Sequence, residues 1–210
     1  MKPPQNPTAG PPDGVVRLYT IGHSNMPAEE FLALLDQHGI TVLVDVRSAP
    51  YSRYVPQFNK ANLQGLFRQQ HRDYRFAGEW LGGRPQDPAV YREGVVPDDS
   101  TARAEFLEKV DYEAVMRQDW YRRAIDHLLA IVRDTTAQGG RVAIMCSESD
   151  PQECHRHHLI ARSLIDPHVR VVETPVRVFH ILREGSPREV TAGDFEKFEQ
   201  QGVEPVGDVE

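Results

Sequence analysis

Apolar residues recur along this chain with two different periods. Nearly unbroken hydrophobic runs at 15–21 (VVRLYTI), 41–46 (TVLVDV) and 142–145 (VAIM) have the length and β-branched content of strands covered on both faces. Between the first two, Phe31, Leu34, Leu35 and His38 fall at i, i+3, i+4 and i+7, an apolar stripe on one side of a helix. Ser24 or Asn25 can cap that helix and Gly39 stops it. A strand, a short helix and a second buried strand predict a parallel crossover. Further along, the pattern predicts a helix over 60–70 capped by Asn59, with Leu63, Leu66 and Phe67 inward, and a short strand at 74–76. Helices are expected over 106–115 and, more clearly, 120–134, where Ala124, Leu128 and Ile131 share a side. Residues 168–173 and 176–182 look extended, with Pro175 between them, and 192–198 looks like a last helix or turn.

These elements predict an α/β fold: a single-domain three-layer sandwich around a mostly parallel central sheet, remotely rhodanese- or Rossmann-like. The expected domain spans 15–183, with an irregular excursion at 85–119 that carries prolines at 85, 88 and 97. Residues 1–14 are rich in proline and glycine and are expected to be disordered; 184–210 form an acidic C-terminal segment. No apolar run reaches transmembrane length and no signal-peptide pattern opens the chain, so a cytoplasmic protein with reduced thiols and no membrane partner is the expectation.

The net charge of −7 argues against broad nucleic-acid binding, but its distribution qualifies that. Arg47, Arg53, Lys60, Arg68, Arg72 and Arg75 face only Asp73 between 47 and 75, whereas 184–210 is strongly acidic. A local basic face on an acidic whole leaves a phosphate-containing small molecule or a nucleic acid as the partner class.

The chemistry concentrates in 141–158, RVAIMCSESDPQECHRHH. A buried strand ends at Cys146, a polar loop follows, and Asp150, Pro151 and Glu153 have the spacing of a capping box opening a helix. Amides at that helix start would favour a thiolate at Cys146 or a bound anion. In a parallel sheet, loops leaving the C-terminal strand ends converge, which brings His23-Ser24-Asn25, the loop 47–58 and 146–156 to one crevice. Candidate catalytic residues are Cys146 as nucleophile, His155 for proton transfer, and Asp45 and Glu148 as acid or base; His23, Ser24, Arg47, Arg53, Tyr54, Phe58, Cys154 and Arg156 are candidate substrate contacts. Each has a plainer reading: Cys146 as an inert strand-end thiol, Asp45 as a structural pair with Arg47, Glu148 as a solvated carboxylate, and the aromatic residues as loop packing. Helix phase groups Cys154 with His157 and His158 and turns His155 elsewhere. The spacer between the cysteines is not that of a zinc knuckle, so no metal ligands are assigned. Cys146, Cys154, His155 and His23 nevertheless supply four ligands if the loops close on one another.

The segments TIGHSN (20–25), LVDVRSAPYSRYVPQFNK (43–60), GEWLGGR (78–84) and MCSESDPQECHR (145–156) resemble, in order, the motifs of the bacterial and archaeal family known as domain of unknown function 488. The resemblance spans most of 17–180. It implies that His23, Asp45, Arg47, Phe58, Cys146, Glu148, Cys154, His155 and Arg156 occupy motif positions, and it implies no activity or cofactor. The strand-cysteine-loop-helix order is also similar to rhodaneses and cysteine phosphatases, but the loop after Cys146 holds Glu148 and Asp150 and no arginine before Arg156. The function expected is a cysteine-dependent enzyme acting on an anionic, phosphate- or nucleotide-containing substrate. The alternatives are a nucleic-acid or nucleotide binding module, or a metal or redox site at Cys146 and Cys154. Cofactor and oligomeric state are not legible.

Overall fold

The structure, a computed structural model of the chain, describes residues 14–98 and 103–196. The first two hydrophobic runs form β1 (Val16–Gly22) and β2 (Ile40–Asp45), joined by α1 (Ala28–Gln37). Next come α2 (Lys60–Gln69), β3 (Asp73–Phe76) and the single turn α3 (Gly78–Leu81). The helices α4 (Arg103–Lys109), α5 (Tyr112–Arg117) and α6 (Asp119–Ala137) lead to β4 (Arg141–Cys146). A π-helical stretch, Arg156–Ala161, runs into α7 (Arg162–Ile165), and β5 (Val176–Ile181) and β6 (Pro187–Glu189) complete the order.

The six strands make one sheet in the order β3-β2-β4-β1-β5-β6. All neighbours are parallel except β5 and β6. Alternation along the strands divides the core in two. Val42, Val44, Val142, Ile144 and Cys146 face α6, α7 and the π-helical stretch, whereas Leu43, Ala143 and Met145 face α1 and α2. The chain is therefore an α/β fold with helices on both faces of a mixed, mostly parallel sheet. No helix among the described residues is long and apolar enough to cross a membrane.

Several local expectations give way for identifiable reasons. Pro27, not Ser24 or Asn25, takes the N-cap of α1, because Ser24 is turned into the left-handed region (φ 46) by the tight exit from β1. Asn59 precedes α2 but does not cap it with its side chain; its amide oxygen accepts from the Ser52 amide at 2.6 Å. The excursion is not irregular throughout. Its helix breaks between Lys109 and Tyr112, where Val110 bridges to Tyr91 and Asp111 caps α5 by accepting from the Ala114 amide at 3.0 Å. Residues 168–173 form no strand, since the Arg170 guanidinium gathers the carbonyls of Val172, Glu173 and Thr174. Packing continues past residue 183: β6 pairs with β5, and Val190 and Phe195 are buried. The expected helix at 192–198 is a 3-10 turn, Ala192–Asp194, closed by a Thr191–Asp194 capping box, and its last two residues lie outside the described residues. Of the N-terminal segment expected to be disordered, 1–13 also lie outside them.

Candidate metal centre

The C-terminal strand ends are laced together by backbone hydrogen bonds. The His23 amide donates to Cys146 O (3.0 Å), Ser24 to Ser147 O (2.8 Å), Val46 to Met145 O (3.1 Å) and Ala77 to Asp45 O (2.9 Å). Glycines make the close approaches possible. A Cβ at Gly22 would lie 1.7 Å from Glu148 O, and one at Gly78 would lie 1.9 Å from Arg47 O. The loops expected to converge thus do so through main-chain contact, with Arg156 as a fastener. Its buried guanidinium donates to Glu148 O (2.5 Å) and Ser149 O (2.8 Å), tying the loop after β4 back to the helical segment.

Cys146 ends the strand row that faces α6. Asp150 caps the short turn Pro151–Glu153 by accepting from the Gln152 amide, and Cys154 then adopts an extended conformation (φ −133, ψ 142). The helical segment starts only after this residue. Helix phase therefore does not govern Cys154, and it points the same way as His155 rather than with His157 and His158. His155 Nδ1 lies 3.5 Å from Cys146 Sγ and 3.8 Å from Cys154 Sγ. The three ligand atoms all lie within 4.8 Å of one another, and all three side chains are buried.

The imidazole is held in one orientation. Its Nε2 lies 3.1 Å from Val46 O. A carbonyl can only accept, so Nε2 carries the proton and, in the neutral ring, Nδ1 turns a lone pair toward both sulfurs. Gly83 closes one side: a Cβ there would lie 2.9 Å from the ring carbon Cγ. The thiols differ in acidity. The hydrogen bond with Cys154, then burial, holds Cys146 well above the ordinary thiol value. Burial pushes Cys154 the same way, but the hydrogen bond from Cys146 and contacts from His155 and Arg156 outweigh it and hold Cys154 well below. The Arg156 amide donates to Cys154 Sγ at 3.5 Å. The amides at the helix start therefore serve the second cysteine, and the low-pKa nucleophile expected at Cys146 is not what this environment favours.

His23, Asp45, Arg47 and Phe58 form a separate buried network beside the trio. Arg47 grips Asp45 through Nε (2.9 Å) and Nη2 (2.6 Å) and donates to Phe58 O (2.7 Å). Tyr74 donates its hydroxyl to Asp45 Oδ2 (2.6 Å), and burial with the adjacent carboxylate drives the phenol pKa upward. Arg47 Nη1 can only donate, so His23 Nε2 accepts (2.9 Å) and His23 Nδ1 donates to Ser24 O (2.8 Å). Burial and the Arg47 charge lower His23 to about 4, and its ring stacks on Phe58 at 4.2 Å. Both His23 ring nitrogens are thereby used, so it is not a fourth ligand. The plainer reading of Asp45 is the observed one: it pairs with Arg47 and holds the loop after β2.

The remaining sequence candidates divide. Cys146, Cys154, His155, Arg47 and Glu148 line one cavity of about 240 Å³. Tyr54 is exposed, with the Arg53 guanidinium 4.9 Å from its ring centre, and neither residue lines the cavity. Ser24 contributes backbone, and Arg156 turns both terminal nitrogens to loop carbonyls instead of a substrate, leaving its buried Nε without a partner. Sequence reasoning missed Ser48, Gly83, Arg84, Phe106 and Tyr112, which line the same cavity. The GEWLGGR segment was the available signal: Gly78, Gly82 and Gly83 are there because Arg47, Ser48 and His155 press against them.

The sequence profile described as domain of unknown function DUF488 matches residues 27–163. The chain belongs to this family. The match covers α1 through the π-helical stretch and so includes Cys146, Cys154 and His155. No curated protein and no solved structure matches the chain.

Proposed function

We propose that this DUF488 protein binds a transition-metal ion through Cys146, Cys154 and His155, with zinc the best fit. The observation that carries the reading is the mutual spacing of the three ligand atoms. Tetrahedral zinc, with bonds of about 2.3 Å to sulfur and about 2.0 Å to nitrogen, sets sulfur and nitrogen about 3.5 Å apart. The Sγ–Nδ1 distances of 3.5 and 3.8 Å need little adjustment to meet that. The Val46 carbonyl supplies the outer hydrogen bond that fixes a ligating imidazole's tautomer. Cys154 is held well below the ordinary thiol value, which eases its deprotonation, and both thiols would release their protons on binding. Two thiolates would neutralise a divalent ion. With three protein ligands and a shared cavity, the fourth position is left for a small molecule, the pattern of a reactive rather than a purely structural site.

The test is metal content and metal response. Protein purified without added metal and then exposed to Zn²⁺ is expected to retain about one ion per chain after desalting. Co²⁺ in its place should give the intense near-ultraviolet band of thiolate ligation. Cys146→Ser, Cys154→Ser and His155→Ala should each abolish retention. Full reactivity of both thiols in the presence of Zn²⁺, with no retained ion, overturns the reading.

A second reading has its own observation. The two buried sulfurs lie within 4.8 Å of each other and neither is in a disulfide, so they are placed to act as a dithiol–disulfide couple. Oxidation would join the two sulfurs and pass two electrons and two protons to an acceptor such as a peroxide, which leaves as water. Loss of two titratable thiols on peroxide treatment of metal-free protein, restored by a dithiol reductant, supports it; unchanged thiol titre opposes it.

A further inference from the structure

Arg84 enters the cavity from the turn after α3 and has no part in the networks described above. Its amide donates to Ser48 Oγ at 2.9 Å, fixing the backbone, and its guanidinium lies 4.6 Å from the centre of the Phe106 ring. No carboxylate pairs with it among the described residues. The two other guanidiniums near the trio are committed elsewhere: Arg47 to Asp45, Phe58 and His23, and Arg156 through Nη1 and Nη2 to the Glu148 and Ser149 carbonyls, its Nε buried without a partner. A guanidinium stacked on an aromatic face keeps its in-plane N–H groups for a partner. The cavity that Arg84 lines offers room for that partner, and its lining also includes Cys146, Cys154 and His155.

We propose that Arg84 holds the anionic end of a small oxyanion-bearing ligand, a carboxylate or a phosphate, within the cavity beside the Cys146–Cys154–His155 trio. Two parallel N–H donors match two oxygens of either group. A volume of about 240 Å³ is below the usual range for drug-sized ligands, so the ligand is small and a nucleic acid is too large to enter. Phe106, from α4, supplies the aromatic face, and Tyr112, from α5, donates its hydroxyl to Gly83 O (3.3 Å), tying the excursion to the turn that bears Arg84. Glu148 lines the same cavity and favours a monoanionic over a dianionic ligand. The inference rests on the metal reading only in sharing its cavity.

The experiment measures binding of acetate, oxalate and inorganic phosphate by calorimetry, at constant chloride, to chelator-treated and to Zn²⁺-loaded protein. Wild type, Arg84→Gln, Arg84→Lys and the exposed-surface control Arg92→Gln are compared. At least one oxyanion is expected to bind the zinc-free protein saturably. Affinity should fall about tenfold or more in Arg84→Gln, fall less in Arg84→Lys, and stay unchanged in Arg92→Gln. Whether the carboxylates or the phosphate bind identifies the class. Wild-type affinity in Arg84→Gln, or no oxyanion binding at all, overturns the proposal. Oxyanion binding that requires Zn²⁺ and ignores Arg84 overturns it while leaving the metal reading intact. Arg84-dependent binding in a protein that retains no Zn²⁺ sinks the metal reading instead.

Discussion

At the scale of single residues, the buried charges near the site are organised to hold loops rather than to react. Asp45 is fully buried, accepts from Arg47 and Tyr74, and leaves no donor of the loop after β2 facing bare carboxylate. Removing one partner of such a pair costs more than the pair contributes, because the survivor keeps its desolvation penalty. Asp45→Asn is therefore expected to lower stability by roughly 3–5 kcal/mol, read as a shift of the urea midpoint, while zinc retention by the folded fraction persists. The carboxylate of Asp45 was visible in the sequence as an anomaly in a hydrophobic strand, and so was its natural partner Arg47. Less legible was the orientation of His155. A helical reading of 151–158 separates it from Cys154, and only the extended conformation of Cys154 reunites them. Arg84 was hidden because nothing in the sequence sets Phe106, the first residue of the helix expected at 106–115, against the turn that follows GEWLGG.

At the scale of elements, the site is an encounter of loops that leave parallel strands. Gly22 at the end of β1 and the loop after β4 touch backbone to backbone, so a methyl group there meets an immovable carbonyl rather than a flexible side chain. Gly22→Ala is expected to displace residues 147–149, weaken the Arg156 fastening and cost roughly 1–3 kcal/mol by the usual price of overpacking. Zinc affinity should fall with it, in contrast to Asp45→Asn. A thermal midpoint and a competition titration with a metal indicator measure the two effects, and unchanged values would remove the strain argument. The strands themselves could be read from their unbroken hydrophobic runs, because burial on both faces leaves no room for polar alternation. The glycine spacing in GEWLGGR could not be interpreted without the neighbours that each glycine accommodates.

At the scale of the whole molecule, buried neutral histidines tie stability to acidity. His180 sits between Thr20 and His157, with Nδ1 2.7 Å from Thr20 Oγ1 and Nε2 3.0 Å from His157 Nδ1. Burial first, then the neighbouring His157, Arg156 and Arg188, lower its pKa to about 2. The unfolded chain takes up a proton on this residue near pH 6.5, long before the folded chain does. The stability contributed by the neutral ring is thus complete above about pH 6.5 and is lost as pH falls below it. Between pH 7 and 5 one such histidine removes about 2 kcal/mol, or roughly 4–8 °C of thermal midpoint for a chain of this size. In chelator-treated protein His180→Asn should flatten that decline; an equally steep decline in the variant would assign it to other groups.

The strand order also constrains how the polypeptide reaches this state. β4 lies between β1 and β2, so those two early strands have no ladder with each other until residues 141–146 arrive. During synthesis, the first half of the chain emerges with two sticky hydrophobic ribbons and an empty slot between them. The inserting strand is the one that ends in Cys146. Completion of the sheet and creation of the metal-ready trio are consequently the same late event, and a ribosome-stalled fragment ending before residue 141 would carry neither.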